Sequence, residues 1–392
     1  MKLAQYSFLI FIFLKQFYIF ESGNLQPGDL FLLLSFSLYI VSKKSIFCLN
    51  KIDYSLALFL FSVIFINLIY YYIYIDTGFI MSTLHYIFSF IVVIVFRKLL
   101  REKLFIKRLV HILKLNLGCQ FLIFLVGLGE FYGGFRYMGT FNDPNQFAFF
   151  VYITLMLIII TSYYENKKVS FIYYAITLIL IFESSSTGML LAISSFIFFY
   201  FVAKIWNDFK VNIQQLKFNV FKVLFYMFIC LVLGIFIYEH KTEIINSIID
   251  MPIIQRFEEK LNKAEKATAE DSEGLIEERG IDKLFLYPEK MLYGAGQGKY
   301  DRFIGAASLH HEIHSTLPSI IFSYGFIPTL LVLFWFYNNI KKMPIVLYSI
   351  FISLLLESFT LLNQRQPFFW MLFVLASLYE INNKKVKLGN VN

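Results

Sequence analysis

The chain has 392 residues, of which 58% are hydrophobic, 20% aromatic and only 16% charged, with a mean hydropathy of +0.65 and a formal charge of +8. Soluble domains average about 45–50% apolar and about 25% charged residues, so one water-soluble core is excluded and the composition predicts an all-α polytopic membrane protein. The positive charge is not a nucleic-acid footprint, because it is spread over alternate connections between apolar runs, as loop charge that orients a membrane protein is.

In chain order, about 12 apolar runs are each long enough to cross about 30 Å of hydrocarbon. They fall near 5–20, 29–49, 54–75, 79–96, 108–128, 145–164, 169–184, 187–206, 220–239, 316–338, 343–361 and 367–382. The first, within MKLAQYSFLIFIFLKQFYIF, lacks a small-residue cleavage site and reads as an uncleaved span. This gives three parts: spans over 1–239, a large loop over 240–315 carrying short helices, and the last spans and tail over 316–392. Lys43, Lys44 and Lys51 follow the second run. Arg97, Lys98, Arg101, Lys103, Lys107 and Arg108 surround the fourth connection, and Lys341 and Lys342 the tenth. Cytoplasmic loops carry such an excess. Both termini are therefore expected in the cytoplasm, and the segments 130–146, 183–188, 240–315 and 363–367 on the outer face. Cys48, Cys119 and Cys230 lie in or beside spans at no metal or disulfide spacing.

The residues able to carry chemistry gather in those outer segments. Arg136 follows Gly133-Gly134 and precedes Asn142-Asp143-Pro144-Asn145, a turn leading into a helix start at Asn145. A helix N-terminus attracts anions, and a guanidinium beside it matches phosphate oxygens; a well-capped helix with a snorkelling Arg is the bland alternative. Arg279 lies in EERG, ahead of YPEKMLYGAGQG. The GAGQG stretch is not a GxGxxG fingerprint and reads as a turn back to the membrane. In LHHEIHSTLP the spacing of His310, Glu312 and His314 is not that of a zinc-protease helix. A metal shared by His310 and His314 stays open beside a single reactive imidazole, His314, at the mouth of the next span. Arg365, between the last two spans, faces either a polar cavity or the interface.

Taken together, RYMGTFNDPNQFA (136–148), SSSTG (184–188), YPEKMLYGAGQGKY (287–300) and IHSTLPSIIFSYG (313–325) resemble, in order and spacing, the motifs of the bacterial O-antigen ligase and polysaccharide polymerase family. Ser315 stands where that family usually has Asn, and Thr187 where it often has Arg. The resemblance covers about 130–330. It implies a glycosyltransferase of the bacterial plasma membrane, using no nucleotide sugar, cofactor or metal, whose donor is a glycan on undecaprenyl diphosphate. It further implies that Arg136 and Arg279 bind the diphosphate and that His314 acts at the acceptor hydroxyl, with inversion at the anomeric carbon expected. Asn145, Arg365, Arg302 and His311 are expected to bind substrate. Membrane lipid, a chain-length regulator and a flippase of the same pathway are the expected partners, and nucleic acid is not. A polymerase of repeat units is favoured over a ligase acting on lipid A core or protein. A transporter, which calls for paired half-helices and inverted repeats, is the alternative of another class.

Overall fold

The computed structural model describes residues 2–21, 24–43, 49–214, 275–305 and 312–379. The expected span 220–239, most of the loop 240–315, and His310 and His311 lie outside the described residues.

The described chain is a helical bundle with one small hairpin. Helices α1 (Lys2–Leu14), α2 (Pro27–Lys43), α3 (Tyr54–Tyr74), α4 (Thr77–Leu99) and α5 (Lys103–Val126) come first. Strands β1 (Glu130–Tyr132) and β2 (Arg136–Gly139) then pair antiparallel, with Tyr132 opposite Arg136. Gly133 and Gly134 supply the positive φ that this turn requires. Next run α6 (Pro144–Tyr164), α7 (Phe171–Ser184) and α8 (Thr187–Gln214). Three four-residue helices follow: α9 (Leu275–Glu278), α10 (Lys283–Leu286) and α11 (Lys290–Tyr293). The series ends with α12 (Thr316–Tyr324), α13 (Phe326–Ile340), α14 (Tyr348–Glu357) and α15 (Pro367–Ala376).

Among the described residues, five helical stretches are long and apolar enough to cross a bilayer: Lys51–Tyr74, Thr77–Leu99, Lys103–Val126, Pro144–Tyr164 and Thr187–Asn207. Six of the other predicted runs coincide with shorter apolar helices, such as Lys2–Leu14 and Phe171–Ser184. The protein is thus a helical membrane protein. Helix α6 packs against α5, α7, α8 and α15. It is apolar on every side, and 89% of its most apolar stretch is buried, as expected of a helix enclosed by others. Asp143 starts it by accepting from the Asn145 and Gln146 amides, with Pro144 in the first turn.

The predicted span 316–338 is broken. Gly325 takes φ +84°, and a Cβ there would sit 2.6 Å from Leu292 O, so α12 stops and α13 begins. The carbonyls this exposes are taken up by GAGQG: the Ala295 amide donates to Phe322 O at 2.9 Å and the Gly296 amide to Ser323 O at 2.8 Å. The glycines therefore serve close backbone approach. Hydropathy could not show the break, since α12 and α13 are both apolar.

The two ends of the bundle differ. At one end, Arg97 of α4 pairs with Asp53 just before α3, and also reaches Asn339 and Ser377, while Trp335 Nε1 donates to Asp53. The basic connections α4–α5 and α13–α14 lie at that end. The other end gathers the α1–α2, α3–α4, α5–α6, α7–α8 and α14–α15 connections with residues 275–305 and 312–315. The Tyr18 amide bonded to Thr140 O and the Asn142 side chain bonded to Phe20 O tie two of these together.

Candidate functional site

A cavity of about 510 Å³ opens at this second end. It is bounded by the starts of α6 (Asn145, Gln146) and α8 (Thr187, Gly188), by His314 just before α12 and by Gln366 just before α15. Four helices thus point their N-terminal, electropositive ends at its wall. Arg279 and Glu278 enter from the loop, and Glu312, Asn363 and Arg365 close the far side.

Counting charges would mislead here, because three carboxylates (Asp143, Glu278, Glu312) stand against two guanidinium groups. What matters is which of them are already engaged. Asp143 is consumed in capping α6. Glu312 is paired with Arg365 at 2.5 Å, and its Oε1 also accepts from Tyr300 at 2.9 Å and Gln297 at 2.7 Å. Burial alone would lower the pKa of Arg365. The Glu312 carboxylate and Tyr300 outweigh it, so the net shift is upward and the guanidinium stays charged. Burial raises the Tyr300 phenol, and the charge of Glu312 raises it further, so the phenol remains a donor.

Arg279 is different. It is half-buried, and among the described residues its guanidinium has one hydrogen-bond partner, Thr360 O at 2.7 Å. A guanidinium carries five N–H donors, so among the described residues most of this fork is open to a ligand, while its charge also acts on the buried Glu357. The Arg279 carbonyl accepts from the His314 amide at 2.9 Å, which fixes the two residues side by side. His314 is positioned from its other side as well. Ser315 Oγ donates to Ser358 O at 3.1 Å, the Thr316 amide donates to Ser358 O at 2.8 Å, and Thr316 Oγ1 donates to Leu361 O at 2.7 Å. The Ser at 315 thus fastens the start of α12 to the α14–α15 turn.

The other predicted site residues are distributed less simply. Asn145 and Arg365 line the cavity. Arg136 does not. It is buried behind the wall, where its Nε donates to Ser184 O at 3.2 Å and its Nη2 to Asn145 Oδ1 at 2.9 Å, and the same oxygen accepts from Ser186 at 3.0 Å. Arg136 therefore holds the FNDPN and SSSTG turns together. Arg302 is also elsewhere. Its Nη2 donates to Ala295 O at 2.7 Å and Gly298 O at 3.0 Å, and its plane lies 4.7–5.0 Å from the rings of Tyr70, Tyr74, Phe79 and Phe303. It clamps the GAGQG loop; burial lowers its pKa, and Tyr74, Tyr70 and Asp301 offset only part of that. Sequence reasoning passed over Glu312 because it was weighed only as a misplaced zinc-site acid. Its one signal was its position two residues before His314. Among the described residues no group of three His, Cys, Asp or Glu is arranged to hold a metal ion.

Fold and site together define a helical membrane protein with a polar cavity set into one end of its bundle. No protein-family model matches the chain, and no curated protein matches it.

Proposed function

We propose that this chain is a glycosyltransferase of the bacterial plasma membrane that joins undecaprenyl-diphosphate-linked repeat units into a surface polysaccharide. One observation carries the reading: the Arg279 guanidinium, which makes a single hydrogen bond among the described residues, fixed beside His314 in a cavity faced by four helix N-termini. Breaking a sugar–diphosphate bond builds negative charge on the leaving phosphate, and preorganised donors lower that barrier. In the proposed step the acceptor hydroxyl oxygen attacks the anomeric carbon, and its proton passes to the His314 imidazole. The bond from carbon to the diphosphate oxygen breaks, and the diphosphate leaves into the field of Arg279. A single displacement of this kind inverts the anomeric centre. Arg136 acts as a positioning residue, setting Asn145 and the start of α8 against the cavity. About 12 spans, a large extracytoplasmic loop over 240–315, cytoplasmic termini and a cavity at the outer face complete the proposed topology. The basic connections at the opposite end of the bundle support that orientation.

A ligase that moves finished glycan to lipid A core or to protein would use the same chemistry. A transporter is favoured by one feature, the break at Gly325, since transporters bind ions at interrupted helices. That feature is weakened by the Ala295 and Gly296 amides, which already occupy the exposed carbonyls. Deleting the gene and resolving the cell's glycans on a gel separates the readings. Collapse of a polymer ladder to single capped repeats is expected for the polymerase. Intact polymer stranded on its carrier indicates the ligase, and an unchanged ladder overturns the enzyme reading.

A further inference from the structure

We infer that Glu312 is the acceptor-binding residue of this cavity, a carboxylate that accepts a hydrogen bond from a sugar hydroxyl and presents that hydroxyl to His314. The inference rests on the transferase reading above and deepens it.

The geometry of one side chain leads to it. Among the described residues, all three hydrogen bonds to the Glu312 carboxylate fall on the same oxygen: Oε1 receives Arg365 Nη2 at 2.5 Å, Gln297 Nε2 at 2.7 Å and the Tyr300 hydroxyl at 2.9 Å. Oε2 has no partner among the described residues, and Glu312 borders the cavity. The three donors are themselves held in place. Gln297 Oε1 accepts from the Tyr324 hydroxyl and the Gln297 backbone amide donates to Asn67 Oδ1, so the anchor extends through α12 to α3. A carboxylate locked through one oxygen is oriented in advance, and its other oxygen is a fixed acceptor.

The surrounding chain aims that acceptor. Residues 312–314 are not helical, and Ile313 is buried in a small apolar cluster with Leu284, Ala295 and Phe322. Alternation along a non-helical chain then turns Glu312 and His314 to the same side, where both border the cavity. The carboxylate is already committed to an ion pair with Arg365, so what it offers the cavity is an acceptor. Its role is therefore to hold a hydroxyl, while the proton goes to the imidazole. The cavity is divided accordingly: Arg279 offers donors to an anion, and Glu312 offers an acceptor to a neutral hydroxyl-bearing sugar.

The test uses the purified full chain in lipid nanodiscs. The donor is the lipid-linked repeat unit that accumulates in cells lacking the gene. The acceptor is the same glycan released from its lipid, which can receive but cannot donate. Glu312→Gln is expected to raise the half-saturating acceptor concentration about 10- to 100-fold, the worth of one hydrogen bond to a charged group. Half-saturation for the donor should stay where it is. Glu312→Asp, which keeps the charge against Arg365 and retracts the oxygen by one methylene, is the second variant and should give the same split. An unchanged acceptor dependence, or an equal rise for donor and acceptor, assigns Glu312 a structural role only and overturns the inference. A wild-type chain that transfers nothing to the released glycan overturns the polymerase reading itself, and this inference with it.

Discussion

Replacing Arg279 with alanine separates binding chemistry from structure more cleanly than any other change in the cavity. The side chain is half-buried and makes one hydrogen bond to protein among the described residues, to Thr360 O. Losing that bond costs about 1 kcal/mol of stability, and less if cavity water reaches the carbonyl. If the open side of the guanidinium grips a phosphate through two charge-assisted bonds, each worth about 1.5–3 kcal/mol, transition-state stabilisation falls by about 3–6 kcal/mol. That corresponds to a loss of about 100- to 10,000-fold in kcat/KM. Arg279→Lys keeps the charge and loses the fork, so it should fall between wild type and alanine. The assay is transfer by purified variants in nanodiscs, with thermal unfolding recorded on the same samples. A Tm close to wild type with transfer nearly abolished is the expected pair of results. An Arg279→Ala protein that transfers within about threefold of wild type, less than the smallest charge-assisted bond would supply, refutes the reasoning.

Other positions should behave differently, because their side chains are spent on protein. Arg136→Ala removes the hydrogen bonds to Ser184 and Asn145 that join two turns, so it should lower both Tm and transfer, and thermal unfolding will show a loss of at least about 2–3 kcal/mol. Arg302→Ala should loosen the GAGQG loop and lower Tm while leaving donor half-saturation unchanged, which a titration of the donor checks. Gly325→Ala forces an L residue into positive φ against Leu292 O; a loss of at least about 1–2 kcal/mol in unfolding is expected. Asp53→Asn leaves Arg97 without its charge partner at the far end of the bundle, for a loss of about 3–5 kcal/mol. Transfer by the protein that still folds should be unaffected by that change.

The helical membrane class was legible because hydropathy and length report directly on burial in hydrocarbon. The start of α6 was legible too, since Asp143 and Pro144 are local signals and need no tertiary context. The break between α12 and α13 was not, because Gly325 is forced by the approach of Leu292, a contact between segments distant in the fold. Among the site residues, Arg279, His314, Asn145 and Arg365 do border one cavity. Arg136 and Arg302 show what a sequence withholds. An arginine in an outer segment reads the same whether it faces a ligand or donates to backbone carbonyls, and only the third dimension separates the two. Glu312 was hidden for the complementary reason. Its significance comes from Gln297, Tyr300 and Arg365, which reach it from other segments of the chain.

A structure of the purified chain with undecaprenyl diphosphate bound is the most direct measurement. The diphosphate is expected within hydrogen-bond distance of the Arg279 guanidinium, beside His314 and near the starts of α6 and α8. A diphosphate seated elsewhere on the protein, with the Arg279 fork still facing only water, would contradict the central claim.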